Sequence, residues 1–329
     1  MSELLDVTGI SNAIVDVIAN ATDADIARLT LAKGSMTLVD AARADALYAS
    51  MAPAREISGG SVANSIAGVA ALGGKAGYIG KIRNDQLGEV FAHDIRAAGV
   101  EFSTPASTGG ASTARCLILV TPDGQRTMST YLGACLELGP EDIDEALIAR
   151  SKVTYIEGYL WDPPRAKEAI LRAAQLAHKH QRKVALSLSD AFCVDRHRAE
   201  FNRLLDDHVD ILFANESEAM SLTQAASFEA AITNLRGRAE TCVVTRGALG
   251  ASVVSADELV HVPAEPIEKL VDTTGAGDLF AAGFLYGYTQ GRSAAQCARI
   301  GALCAAEIIG HYGARPEISL SQLIASRGL

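Results

Sequence analysis

From about residue 133 onward, short β-branched runs alternate with longer stretches whose apolar residues recur at helical spacing. Val153 to Ile156 reads as a buried strand and Arg165 to Lys179 as a helix. Val184 to Leu188 with Arg198 to Leu205, and Ile211 to Phe213 with Glu216 to Leu222, repeat the pair, and Cys242 to Thr245 supplies a further strand. Strands spaced by helices predict right-handed crossovers and a mostly parallel sheet. A strand at Val7 to Ile10 and a helix from about Val62 to Leu72 belong to the same layers. Two segments break the rhythm, Asn12 to Val39 and about Gly109 to Tyr131. In the second, Cys116 to Val120, the Pro122-Asp123-Gly124 turn and Thr127 to Tyr131 predict a hairpin. Two readings stand for these segments: an inserted β lid, or extra edge strands of the main sheet.

The 329 residues are 49% hydrophobic and 21% charged, with 29 glycines and 9 prolines, which excludes disorder, collagen and coiled coil. At roughly 150 residues per domain the length suits about two domains, or one large α/β unit with a smaller one appended. A formal charge of -10 provides no global basic field for nucleic acid or anionic lipid, so any phosphate site must be local. The six cysteines form no CxxC pair, which predicts reduced thiols. Glu3 and Asp6 stand where an export signal has basic residues, and no apolar run reaches membrane-spanning length. The expectation is a cytoplasmic protein. His178 and His180, two apart on a predicted helix, point to different faces and are expected in solvent rather than on a metal.

The most informative stretch is Asp272-Thr273-Thr274-Gly275-Ala276-Gly277-Asp278, which runs directly into an apolar helix. Small residues let backbone N–H groups approach a ligand, and the helix start adds its positive dipole end, so the turn suits a phosphoryl group. A carboxylate there repels phosphate unless it has its own task, such as taking the proton of an attacking hydroxyl. The other reading is a tight loop with Asp278 as a first-turn acid that complements the dipole. Rival nucleotide motifs are missing. Gly74-Lys75 is followed by Ala76 and has Val69 where a P-loop needs glycine, and neither a dinucleotide GxGxxG nor the protein-kinase HRD and DFG set is present.

Four motifs in order make the chain resemble the PfkB or ribokinase-like carbohydrate and nucleoside kinases, and within them the adenosine kinases. They are Gly59-Gly60-Ser61-Val62-Ala63-Asn64 running on to LGGKAGYIGKIRNDQLGE, Asn215-Glu216-Ser217-Glu218 after a strand, Thr245-Arg246-Gly247, and DTTGAGDLFAAGF. The resemblance implies an α/β/α sandwich with a mostly parallel sheet and a small β lid. Residues 1–11, 40–108 and 132–329 would form the large catalytic and nucleotide-binding unit, and 12–39 and 109–131 the lid over the acceptor. It implies ATP with Mg2+ as reactants and Asp278 as general base. Gly275, Ala276 and Gly277 would form the anion hole. Thr245 and Gly247 would line the ATP site, with Cys304 and Ala305 near its adenine. Asn215 and Glu218 would hold Mg2+ mainly through water. Arg126 resembles an arginine that reaches the phosphates, and Asp272 and Thr274 with the Ile308 to Gly313 stretch resemble a K+ site. Each has a plainer alternative: Glu218 a solvated helix acid, Arg126 a charge on a hairpin edge, Cys304 and Ala305 packing residues, and IIGHYGARPE a helix end.

For the acceptor, Asn12, Asp16, Gly59, Gly60 and Asn64 resemble the set that bonds sugar hydroxyls, Asp16 offering paired oxygens to a vicinal diol. Asp16 as a turn residue is the alternative. Tyr159 and Phe192, beside Ile14 and Leu38, would flank a base, or else belong to the core. The expected reaction is transfer of the ATP γ-phosphoryl to the primary hydroxyl of a ribonucleoside, adenosine first, by a monomer or homodimer. A sugar kinase acting on ribose, a ketohexose or a keto-deoxy sugar acid is the alternative, and a non-catalytic nucleoside sensor a third reading, which Asp278 and the intact loop disfavour.

Overall fold

The computed structural model describes residues 3–329. Fourteen strands form two sheets among these residues. They are β1 (Leu5–Ile10), β2 (Ile14–Asn20), β3 (Met36–Leu38), β4 (Arg55–Gly59), β5 (Ala76–Ile79), β6 (Val100–Phe102), β7 (Ala114–Val120), β8 (Arg126–Tyr131), β9 (Ser151–Glu157), β10 (Lys183–Ser187), β11 (Ile211–Asn215), β12 (Thr241–Thr245), β13 (Ala251–Val254) and β14 (Leu259–Val262). The larger sheet runs β14-β13-β12-β11-β10-β9-β1-β5-β6 and is parallel except where β13 and β14 close one edge as antiparallel strands. Its central strands are apolar on both faces. Ile211 and Phe213 enter one core while Leu212 and Ala214 enter the other. Helices must therefore cover both sides, and they do, giving the α/β/α sandwich that the strand–helix rhythm predicts.

The smaller sheet runs β3-β8-β7-β2-β4, with β7 and β8 as the expected hairpin in the register Val120↔Arg126. It is separate from the main sheet, so the edge-strand reading does not hold. Its extent differs from the sequence expectation. Arg55–Gly59 pairs antiparallel with β2, Ile14 opposite Gly59, and the helix Ala41–Ser50 places Leu47 near Leu117 and Leu119 of β7. The sequence reading places both segments in the large unit. A strand of five residues whose only ordered partner lies some forty residues upstream carries no local pattern that names its sheet.

The two sheets meet where β4 ends and the helix Ser61–Ala71 begins. Gly60 caps that helix at φ 98°, and a Cβ there would stand 2.4 Å from the Asn12 carbonyl oxygen, so only glycine makes this corner. Among the described residues no helix is long and apolar enough to cross a membrane. All six cysteines are buried free thiols.

Candidate active site

Asp278 lies in the first turn of the helix Ala276–Thr289, whose N-cap Gly275 has φ 79°. Its carboxylate is held from the other side of the cleft: Ser61 Oγ donates to Oδ1 at 2.6 Å and Asn64 Nδ2 to Oδ2 at 3.0 Å. Ser61 and Asn64 are three residues apart in the first turn of their helix and so share one face. Burial raises the Asp278 pKa, opposed by these two hydrogen bonds and by the nearby Arg315 charge. Asp278 therefore needs little to accept a proton, yet keeps two donors that favour its anion.

A cavity of about 230 Å³ joins Asp278 and Gly277 to Ser61, Asn215, Glu218 and Thr245. Residues from four of the sequence motifs thus line one space. Asn215 caps the helix Glu216–Thr223 in a reciprocal box: Glu218 N–H donates to Asn215 Oδ1 at 2.9 Å, and Asn215 N–H and Nδ2 donate to the Glu218 carboxylate at 2.9 and 2.6 Å. Glu218 is buried rather than solvated, and burial pushes its pKa up to about 7. Such a carboxylate gains from a neighbouring cation. Among the described residues no cluster of three or more His, Cys, Asp or Glu could cage a metal. As members of a helix start, Gly277 and Asp278 present backbone N–H groups that no preceding turn accepts, whereas the Ala276 N–H is turned to Thr273 O at 3.2 Å.

On the small-sheet side, Asp16 packs its carboxylate against Gly59, where a Cβ would stand 2.4 Å from Oδ2. Burial raises the Asp16 pKa to about 6, opposed by Arg126 and Arg315 and reinforced by Asp278. Asn12 donates its backbone N–H to Glu157 Oε2 at 3.1 Å, and burial raises the Glu157 pKa to about 7. The apolar set is less closed. Ile14 is half-buried, and Tyr159 is half-buried with its hydroxyl 3.4 Å from Ser189 O, but Leu38 is 60% and Phe192 77% exposed. The core alternative for Phe192 is thus excluded by its exposure, while nothing covers it in this state. Cys304 has no exposed surface and packs in the core beside half-buried Ala305, as the packing alternative has it. Gly247, at φ 54°, follows Thr245 at the end of β12. His178 and His180 meet Asp210 and Glu145, away from the cleft.

Arg126 is not a hairpin-edge charge: Nη1 donates to Asp272 Oδ2 at 2.6 Å, with both side chains buried. Asp272 in turn accepts N–H bonds from Thr274 at 3.0 Å and Gly313 at 3.2 Å.

Ser61, Glu157 and Arg315 were not singled out from sequence. Arg315 donates Nη2 to Ser58 O and Oγ at 2.7 and 2.8 Å and Nη1 to Ala63 O at 3.2 Å. Its charge lies near Asp94, Asp16 and Asp278, and burial lowers its pKa against their pull. The Ser61 position was legible as the i−3 neighbour of Asn64, whereas an isolated arginine near the C-terminus gives no such signal.

The family model described as "pfkB family carbohydrate kinase" matches residues 43–320. Adenosine kinase of Saccharomyces cerevisiae is 30% identical over 305 residues, covering 86% of this chain and 88% of that protein. 5-dehydro-2-deoxygluconokinase of Bacillus licheniformis is 29% identical over 290 residues, covering 82% and 87%. The crystal structure of adenosine kinase from Sinorhizobium meliloti superposes with a TM-score of 0.91 at 52% identity, covering 99% of both chains.

Proposed function

The chain belongs to the pfkB family of carbohydrate kinases and is an ATP-dependent phosphotransferase, and we propose that it phosphorylates the primary 5' hydroxyl of a ribonucleoside, adenosine first. The observation that carries the reading is the Asp278 carboxylate, fixed by Ser61 and Asn64 in the same cavity as Gly277, Asn215, Glu218 and Thr245. In this reading Asp278 takes the acceptor hydroxyl's proton as its oxygen attacks the γ-phosphorus and the bond from that phosphorus to the β,γ-bridging oxygen breaks, releasing ADP. The free backbone N–H groups of Gly277 and Asp278, in place of the Ala276 N–H that Thr273 O accepts, and the helix dipole stabilise the charge that builds on the transferred group. Thr245 and Gly247 border the nucleotide, with Ala305 near its adenine. Glu218 and Asn215 would hold Mg2+ through water, and the ion would neutralise phosphate charge. Asn12, Asp16, Gly59, Gly60 and Asn64 take the ribose, and Ile14, Leu38, Tyr159 and Phe192 the base. The five-stranded unit acts as the lid; its Leu38 and, on the large unit, Phe192 are uncovered apolar surfaces that would meet the purine. Catalysis in the cytoplasm, in purine salvage, follows from the adenosine assignment.

A sugar or sugar-acid acceptor is the second reading. The polar character of Asn12, Asp16, Asn64 and Glu157 and the similarity to a gluconate-type sugar kinase favour it. ADP release measured with adenosine, other nucleosides, ribose, fructose and a keto-deoxy sugar acid decides between them. Higher kcat/KM for adenosine supports the first reading, and a preference for any free sugar replaces it with the second.

A further inference from the structure

Asp272 opens the anion loop, and its carboxylate is buried. The groups that converge on it are the Arg126 guanidinium and the backbone N–H groups of Thr274 and Gly313. Three carbonyl groups nearby already accept hydrogen bonds. Ile309 O accepts from Val271 N at 2.9 Å and Asp272 N at 3.3 Å, Glu307 O from Gly310 N at 3.1 Å, and Thr273 O from Ala276 N. A monovalent cation needs several unclaimed oxygens and a carboxylate whose charge is not already balanced. Arg126 comes from the first residue of β8, so the positive charge arrives with the small sheet. At the same hairpin turn, a Cβ on Gly124 would lie 3.2 Å from the Tyr312 hydroxyl. The hairpin thus meets the 272–278 turn through Arg126 and the loop that follows the helix Ala294–Ile308 through Gly124.

We infer that the Arg126 guanidinium is the built-in cation of the anion loop: it balances Asp272 in place of a monovalent metal ion, so the loop keeps its shape without K+ and depends instead on the hairpin being seated. Arg126 is then a positioning residue, acting on the phosphoryl site through Asp272. A guanidinium suits this place because it stays charged when buried and reaches a carboxylate through a directed N–H. The inference deepens the kinase reading and rests on the 272–278 turn being its anion hole.

Thermal unfolding of the full chain without nucleotide or acceptor, in potassium, sodium and choline chlorides at matched ionic strength, tests it. The wild type is expected to melt at one temperature in all three, and its ADP release with the best acceptor to agree within about twofold. Arg126→Lys keeps a charge and should behave likewise. Arg126→Ala vacates the position. It should melt lower in choline and recover roughly 2 to 5 °C in potassium alone. A K+-specific rise in the wild-type midpoint overturns the inference, as does an Arg126→Ala protein that melts with the wild type and ignores K+. If the alanine variant does not fold, the wild type and Arg126→Lys still decide. Since melting is read without acceptor, a wrong substrate assignment leaves this result standing.

Discussion

Replacing Asp278 by asparagine separates its two properties, proton acceptance and buried charge. The side chain keeps its shape, and both contacts survive: the Ser61 hydroxyl can turn to accept from the new amide, and Asn64 still meets the amide oxygen. Two hydrogen bonds to a charged acceptor become neutral ones, each weaker by about 1 kcal/mol. Against this, the variant no longer buries a carboxylate, an effective cost of several kcal/mol for an ion in a protein interior. The Asp278 pKa is raised from its ordinary 3.8 in the folded chain, so its contribution to stability is fully present below that value and is lost as pH rises through the folded pKa. The asparagine variant should therefore melt at or above the wild type at pH 8, and the difference should vanish toward pH 4. Turnover should fall by at least ~10²-fold, the lower range for a lost general base. Steady-state ADP release, calorimetric binding of nucleotide and nucleoside, and melting across pH read these outcomes. A variant that turns over within about tenfold of the wild type refutes the base assignment. One that binds normally but melts below the wild type at pH 8 refutes the charge balance.

Asp16 at about 6 and Glu157 and Glu218 at about 7 are all raised by burial, so the ligand-free protein should gain stability as pH falls from 8 to 5 and lose it again as pH rises, read as melting temperature in one buffer series. Arg315→Met leaves Ser58 and Ala63 acceptors unmatched and should cost about 2 to 4 kcal/mol by denaturant titration; it should also move the acidic limb of the kcat/KM profile upward, because a cation beside Asp278 and Asp16 is gone. Gly59→Ala should abolish acceptor binding by calorimetry while leaving ATP binding, since its Cβ enters the Asp16 carboxylate. Phe192→Ala should weaken adenosine by about 5-fold to 150-fold and any activity on ribose little; equal losses on both would remove Phe192 from the base site.

The sequence by itself determined the alternation of strands and helices that builds the main sheet, because apolar residues at period two and at helical spacing are local properties. Cys242 to Thr245, Ile211 to Phe213 and Glu216 to Leu222 each fall within the observed elements. It also determined the glycine turn at Gly275, whose positive φ the small residues around it in sequence already signal, whereas the corner at Gly60 is set by the Asn12 carbonyl packed against it. The motif residues were legible as separate strings, but that 61, 215, 218, 245 and 278 share one cavity is a consequence of parallel strands ending on the same side. Tertiary structure alone decided three further things. Arg55–Gly59 joined the small sheet because its partner strand is distant in sequence. Arg315 reached Ser58 from more than two hundred and fifty residues away, and Arg126 found Asp272 across 146 positions. Charge pairing of this kind is set by which buried groups the completed packing leaves facing each other, and a linear pattern holds no record of it.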